Sequence, residues 1–209
     1  MAADLYVDDG EGKQARVPRK RQAVLDAARR VFTEKGYNAS MEEIAFEAEV
    51  SKQTIYNQFG SKEQLFLAMV DARVEEMLAP VVEAAADADP HGVLTEIGRA
   101  YHRKVIGPDN VKLLRAVIAA PSATNILRNL YSEGPSRFTR VFATWLAAQD
   151  ATGRLRIPDP ILAAEHFVSF TIGPLHMRRL FGVDTPLNDA DIERRVSYCV
   201  ESFLKAHAP

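Results

Sequence analysis

Three serines, each followed by an apolar segment of helical period, constrain the fold more than any other feature of this chain. Ser40, Ser51 and Ser61 stand ten or eleven residues apart. A serine at such a position predicts a helix N-cap, because its hydroxyl accepts a hydrogen bond from a backbone N–H of the first turn. Glu43 and Gln64 stand where each completes a capping box. The spacing predicts two short helices followed by a longer one.

Helical period also dominates the rest of the chain. A first helix begins near Pro18 and stops at Gly36, and no stretch alternates for long enough to form a strand. Beyond Leu78, proline and glycine separate further apolar segments at about 91–106, 110–120, 122–132, 136–151, 160–182 and 189–206. These patterns predict an all-α protein with an N-terminal three-helix unit and a larger helical domain.

Positive charge is concentrated near the N-terminus, although the chain as a whole has a net charge of −2. Residues 13–62 carry ten basic and six acidic side chains, whereas residues 1–12 carry four acids and no base. A basic block of this kind is an electrostatic footprint for nucleic acid phosphates. A solvated helix face explains the same charges equally well.

The two short segments, joined by Ala48-Glu49-Val50, fit a helix-turn-helix. In that motif the second helix lies in the major groove of DNA. Ile55 and Phe59 are placed to anchor this helix, while its remaining side chains are polar. The short helices, their caps and the upstream basic helix together favour DNA binding over a helix that is merely solvated.

Two longer runs in the same region carry a family resemblance. Gly36-Tyr-Asn-Ala-Ser-Met-Glu-Glu-Ile-Ala45 and Val50-Ser-Lys-Gln-Thr-Ile-Tyr-Asn-Gln-Phe-Gly-Ser-Lys-Glu-Gln-Leu-Phe66 resemble the TetR family of transcriptional regulators. The resemblance implies a homodimer whose subunits each have a DNA-binding head and a helical body that binds an effector. With the aperiodic N-terminus, it divides the chain into a disordered tail (1–16), a helix-turn-helix DNA-binding domain (17–62) and a helical effector-binding and dimerisation domain (63–209).

The function that this resemblance implies is a ligand-responsive regulator acting as a repressor. A homodimer of this kind binds a pseudo-palindromic double-stranded operator and is released by a small-molecule effector. Carried over by position, the DNA contacts are Ser40, Ser51, Lys52, Gln53, Thr54, Tyr56, Asn57, Gln58 and Lys62. The ammonium of Lys62 is expected to bind a phosphate together with the positive end of its helix.

Three positions depart from the family pattern. Glu49 occupies a turn position where glycine is frequent, which costs about 1 kcal/mol if the residue is left-handed. Gln53 replaces a small residue, and Asn57 with Gln58 replaces an aromatic or histidine pair. Because Asn and Gln side chains match the N6 and N7 atoms of adenine, these amides predict that the helix reads adenine.

Two apolar stripes near the C-terminus fit either the subunit core or a subunit interface. The resemblance favours dimerisation through the last two long helices, and the candidates are Phe167, Ile192, Val196, Val200 and Phe203. Gly173-Pro174 interrupts the first of these helices. The dipeptide predicts a kink, or equally a simple break, beside His176 and Met177.

The middle segments resemble, more loosely, a TetR subgroup named after AefR, which identifies no effector. In this family a pocket lies among these helices, and the candidate lining residues are Tyr101, Leu114, Ile118, Trp145, Phe170 and His176. The interior core is the alternative place for each of them. Cys199 is predicted to be a buried apolar residue.

Several other classes of protein find no support in the residues present. No apolar run approaches the roughly 20 residues of a membrane span, and the five histidines lack metal-ligand spacing. No phosphate-binding glycine loop, nucleophile elbow or zinc-binding HExxH occurs. The single cysteine cannot form an intramolecular disulfide, which suits a reducing compartment, so we predict a cytoplasmic protein. Because the motifs above are lacking, we predict no metal, cofactor or enzymatic activity. The alternative is a helical small-molecule-binding or structural protein whose head has lost specific DNA reading. Its support is the unusual turn residue Glu49 and the acidic residues Glu42 and Glu43 in the predicted DNA-binding motif.

Overall fold

The computed structural model describes residues 19–84, 88–119, 123–183 and 185–209. Ten α-helices account for most of these residues, and no strand occurs among them, which confirms the all-α prediction. The helices are α1 (Arg19–Lys35), α2 (Met41–Glu47), α3 (Lys52–Phe59), α4 (Lys62–Val82), α5 (Pro90–Lys104), α6 (Pro108–Ile118), α7 (Ala123–Tyr131), α8 (Arg137–Ala151), α9 (Pro160–Leu180) and α10 (Asp189–Ala206). The predicted tail and Pro18 lie outside the described residues.

The serine caps form as the sequence predicts. Ser40 and Glu43 make a full capping box at α2: the Ser40 hydroxyl accepts from the Glu43 N–H at 3.2 Å, and the Ser40 N–H donates to the Glu43 carboxylate at 2.7 Å. Ser51 and Ser61 cap α3 and α4 through their hydroxyls. The Ser61 cap is one-sided, because the Ser61 N–H does not donate to the Gln64 side chain as a full capping box requires.

Two buried apolar clusters fill the interior, and α4 belongs to both. The head cluster joins α1, α2 and α3 to Leu65 and Phe66 of α4, and it also includes Leu113 and Val117 from α6. The body cluster joins the second half of α4 to α5, α8, α9 and α10. The two cores therefore do not separate at residue 62, because α4 begins there and contributes its first half to the head cluster and its second half to the body cluster.

Gly36 forms a close contact between the head and the body. It begins a 3₁₀ turn (Gly36–Asn38) that follows α1, and its φ is +71°. A Cβ added there would lie 2.8 Å from the Cβ of Ala116 in α6. The glycine that ends α1 in the sequence thus also lets this turn pack against α6.

Besides Pro174 of α9, two prolines lie inside helical structure rather than at its start. Pro80 occupies the last turn of α4. Pro135 belongs to a π-helical turn (Ser132–Ser136) that joins α7 to α8. None of the helices in the described ranges is both long and apolar enough to cross a lipid bilayer.

Candidate DNA-binding surface and effector cavity

The second helix of the motif, α3, is anchored along one edge and exposed along the other. Ile55 is fully buried and Phe59 nearly so, and the guanidinium carbon of Arg21 lies 4.9 Å from the centroid of the Phe59 ring. The opposite edge carries the residues predicted to face DNA. Those that are exposed are Ser51, Lys52, Gln53, Asn57 and Gln58, while Thr54 and Tyr56 are half-buried.

The polar side chains of this surface bond to near neighbours in the free protein. Gln53 Nε2 donates to Asn57 Oδ1 at 2.8 Å. The Lys52 ammonium forms an ion pair with the carboxylate of Glu42 in α2, and this bond lowers the pKa of Glu42. Exposed ion pairs and hydrogen bonds of this kind contribute little to the free energy of folding. DNA can therefore replace them at little cost.

The turn between α2 and α3 contains a left-handed residue. Glu49 has a φ of +53° and is the one non-glycine residue with positive φ in the described part of the chain. Hydrogen bonds from the Glu49 and Val50 N–H groups to Phe46 and Ala45 close the turn. The strain of about 1 kcal/mol expected for a left-handed residue with a Cβ is therefore present here.

The starts of α4 and α2 offer different electrostatic environments to a phosphate. Lys62 lies in the first turn of α4 with its ammonium 4.6 Å from the centroid of the Tyr37 ring, and burial lowers its pKa. At α2, the Ser40 hydroxyl is occupied by the capping box. Glu43 beside it is bonded to Lys35 at 2.6 Å, which is the main reason that its pKa falls to about 2. The start of α2 is therefore the less positive of the two.

An apolar cavity of about 370 Å³ lies between α4 and helices α5, α6, α7 and α9. Three of the predicted pocket residues, Tyr101, Leu114 and His176, line it. Pro135 of the π-helical turn also contributes to its wall. Its volume is within the range of small-molecule sites.

The other three predicted pocket residues lie elsewhere. Ile118 ends α6 with 53% of its surface exposed, and Phe170 is 50% exposed on α9. Trp145 is buried in the body core, where its ring stacks on Phe142 with centroids 6.0 Å apart. These three corrections share one cause: residue type indicates that a side chain is apolar, but only the packing decides which surface it meets.

The cavity also has cationic and amide lining residues that sequence reasoning missed. They are Arg29, Arg73, Lys104 and Asn110. Arg73 Nε and His176 Nδ1 are buried without a hydrogen-bond partner, and burial lowers the pKa of both side chains. The available signal was the position of Arg73 beside Val74 and four residues after Met69, both of them buried positions of α4.

Gly173 kinks α9 next to the cavity. Its φ of +51° and ψ of −157° are non-helical, which confirms the predicted interruption. Ile172 and His176, on either side of Gly173 and Pro174, both line the cavity. Met177, however, is 48% exposed and does not line the cavity.

The residues predicted for the dimer interface lie inside the subunit instead. Phe167, Val196, Val200 and Phe203 belong to the buried body cluster, and Ile192 packs against it. In addition, α9 exposes the apolar side chains of Ile161, Leu162, Phe170 and Met177 on its outer side, where α10 contributes one exposed aromatic residue, Tyr198. The prediction followed the inner face, because helical periodicity does not distinguish two apolar faces of one helix.

Cys199 is buried in the body core, as the sequence predicts. Its sulfur lies 3.1 Å from the Thr171 hydroxyl, and burial raises the pKa of the thiol. Among the side chains that the structure describes, no three of His, Cys, Asp or Glu are grouped as a metal site requires.

Comparisons with known proteins agree with this architecture. Residues 24–69 match bacterial regulatory proteins of the tetR family, and residues 92–209 match the C-terminal domain of AefR-like transcriptional repressors. The HTH-type transcriptional activator FasR from Mycolicibacterium smegmatis is 40% identical over 78 residues, which are 36% of this chain and 36% of FasR. The chain thus matches little more than a third of the length of that curated relative.

Two solved structures resemble nearly the whole chain. A TetR-family transcriptional regulator from Mesorhizobium loti superimposes with a TM-score of 0.76 and 29% identity, over 94% of this chain and 100% of that one. The flavonoid-responsive regulator FrrA gives a TM-score of 0.63 and 29% identity, over 91% of this chain and 98% of that one. With the C-terminal match extending over residues 92–209, the chain belongs to the TetR family of transcriptional regulators and carries the AefR-like C-terminal domain.

Proposed function

We propose that this protein is a repressor that binds a pseudo-palindromic operator as a homodimer and releases it when a small molecule enters the cavity. The observation that carries the proposal is the exposed edge of α3, where amides and a lysine lie opposite the buried anchors Ile55 and Phe59. A helix of this shape and polarity fits the major groove. The role is regulatory rather than catalytic and belongs in the cytoplasm, where the DNA is.

Recognition of adenine by the amides of α3 is part of this proposal. Gln53 and Asn57 already make one amide-to-amide hydrogen bond, and each amide can instead form a pair of bonds with adenine, accepting from N6 and donating to N7. Lys52 and Lys62 supply charge for the backbone phosphates. Glu42 and Glu43 do not argue against DNA binding, because each is paired with a lysine.

Repression is the sign of regulation that the AefR-like match favours. That match covers the body, which is the part that responds to an effector. FasR is an activator, but its similarity extends over only 78 residues. A reporter gene behind the chain's own promoter, measured with and without the regulator, distinguishes the two signs.

The dimer that we propose uses the outward faces of α9 and α10. Phe170 and Tyr198 form the centre of this face, with ring centroids 5.8 Å apart and exposed fractions of 50% and 65%. Apolar side chains on neighbouring elements indicate an association surface. A twofold axis through it makes the two α3 helices equivalent, as a pseudo-palindromic operator requires.

Light scattering tests the dimer. The double variant Phe170→Asp/Tyr198→Asp should be a folded monomer at micromolar concentration, whereas Val82→Asp should remain a dimer. Val82 is a matched control because it is exposed but lies at the end of α4. A dimeric double variant would refute the interface.

Fluorescence anisotropy with promoter DNA tests the function as a whole. We expect specific binding that weakens as salt concentration rises, because phosphate contacts release counterions. An intact dimer that binds no promoter site better than random DNA would favour the alternative, a ligand-binding protein whose head no longer reads sequence.

A further inference from the structure

The apolar cavity adjoins a second, polar cleft, and the two share three cationic residues. The cleft has a volume of about 520 Å³ and lies between α1, the end of α5 and the start of α6. Arg29, Arg73 and Lys104 line both spaces. A ligand that extends from one space into the other passes these three side chains.

The cleft is strongly positive. Its basic lining residues are Arg29, Arg30, Arg73, Arg103, Lys104 and Lys112, and they face only two acids, Glu34 and Asp109. Arg30 and Lys104 are paired with Glu47 and Glu76. Arg103 faces Glu193, whose pKa is lowered by a hydrogen bond from Arg99 and further by the charge of Arg103. The side chains of Arg29 and Lys112 form no hydrogen bond or ion pair among the described residues, so both remain available to an anion.

Arg73 stands at the junction with part of its guanidinium unsatisfied. One terminal nitrogen donates to the carbonyl of Lys104, while Nε is buried without a partner. Burial lowers the pKa of Arg73, and repulsion from Arg29 lowers it further. Burying a donor without a hydrogen bond costs stability. An anion at this place would accept a hydrogen bond from Arg73 Nε and offset the repulsion between Arg73 and Arg29.

We propose that the effector is an acyl chain joined to a polyanionic, phosphate-bearing headgroup, with the chain in the apolar cavity and the headgroup in the cleft. The inference rests on the proposed function, because it specifies the ligand of that same cavity. Apolar walls favour a hydrocarbon chain. Arginine and lysine side chains bind phosphate oxygens through charge-assisted hydrogen bonds.

The cleft also joins the two parts of the molecule. Arg29 and Arg30 belong to α1 of the head, whereas Arg103 and Lys112 belong to α5 and α6 of the body. A headgroup held by both sets favours one separation of α1 from α6. Ligand binding in the cleft therefore shifts the population toward the arrangement of head and body for which the headgroup has the higher affinity.

Calorimetric titration of the purified full-length protein, without DNA, tests the ligand class. The probes are lauroyl-CoA, laurate, coenzyme A and a neutral flavonoid. We expect lauroyl-CoA to bind roughly tenfold or more tightly than laurate, as one additional charge-assisted hydrogen bond provides. Coenzyme A alone should bind weakly, because it lacks the chain.

Two matched variants separate the headgroup from the chain. Lys112→Gln should weaken lauroyl-CoA several-fold and leave laurate unchanged, since Lys112 lines the cleft but not the apolar cavity. Arg156→Gln should change neither, because its exposed side chain lines neither space. Equal affinities of lauroyl-CoA and laurate, or a flavonoid that binds more tightly than both, would overturn the inference.

The same samples keep this inference apart from the proposed function. Lauroyl-CoA binding that leaves the promoter complex intact would support the ligand and refute its role as the releasing effector. A promoter complex that forms normally while lauroyl-CoA fails to bind would refute the ligand and leave the repressor proposal standing.

Discussion

The proposed DNA-binding surface and the proposed effector cavity differ in how far their polar groups are hydrogen-bonded in the free protein. The polar side chains of α3 bond to nearby side chains of the head, as Gln53 does to Asn57 and Lys52 to Glu42 of α2. In the cavity, Arg73 Nε and His176 Nδ1 are buried with no partner. The surface can bind by exchanging weak local bonds for bonds to DNA. A ligand in the cavity, in contrast, could form hydrogen bonds with nitrogens that have no partner in the free protein.

The largest expected effect concerns the contact of Gly36 with α6, which joins the head that carries α3 to the body that holds the cavity. Gly36→Ala places a Cβ 2.8 Å from the Cβ of Ala116 at a residue whose φ is +71°. We expect a loss of about 2–4 kcal/mol in the free energy of unfolding, from left-handed strain together with overpacking. Chemical denaturation monitored by circular dichroism measures this loss.

Gly153→Ala is the matched control for that variant. Gly153 has a φ of +70°, but an added Cβ meets nothing within 4 Å. The Gly153→Ala variant should therefore lose only the part of the free energy of unfolding that comes from left-handed backbone strain, about 1–2 kcal/mol. Equal losses in the two variants would mean that the head does not depend on its contact with α6.

The next effect tests whether the bonds of α3 are exchangeable. Asn57→Ala should weaken operator binding by roughly tenfold to a hundredfold, the range for one paired contact to a base, and leave the free energy of unfolding nearly unchanged. Anisotropy against half-sites in which each adenine is replaced measures the base preference. Half-sites that tolerate every such replacement would contradict adenine reading.

A pair of substitutions tests the contrast in bonding directly. Ser40→Ala removes a cap hydroxyl that is already bonded and should cost about 1 kcal/mol of stability. His176→Leu removes a buried nitrogen that has no partner and should instead stabilise the free protein by up to about 1 kcal/mol. Thermal denaturation of both variants provides the comparison, and a destabilised His176→Leu would show that its nitrogen does have a partner.

The same histidine predicts a dependence on pH. Burial lowers the pKa of His176 from its ordinary value of 6.5. A group whose pKa is lower in the folded state contributes stability that is present above 6.5 and lost as the pH falls. The advantage of His176→Leu over the parent should therefore grow between pH 7 and pH 5.

The smallest effect is electrostatic. Lys62→Ala should weaken binding to all DNA sequences alike and lower the slope of log affinity against log salt by about one counterion. Titrations of operator and random DNA at several salt concentrations measure the slope. A loss confined to the operator would contradict a phosphate contact.

The same contrast explains how much the sequence could predict. The DNA-facing surface lies within residues 40–62, so that caps, anchors and exposed amides could all be inferred from neighbouring positions. The interior depends on distant helices: Arg29, Arg73 and Lys104 meet only after α1, α4 and α5 have packed. Phe167 and Phe170 are both apolar and only three positions apart, yet one is core and the other is exposed.

The sharing of α4 by both cores has a consequence for exchanging heads between regulators of this family. The head cluster takes Leu113 and Val117 from the body, and the contact with Ala116 leaves no room for a Cβ at residue 36. A graft that ends at residue 62 would leave α4 with a first half that faces a foreign core. A seam placed within α4 after the Met69 turn, with the facing residues of α6 transferred together with the donor head, should preserve both the new DNA specificity and the original response to ligand.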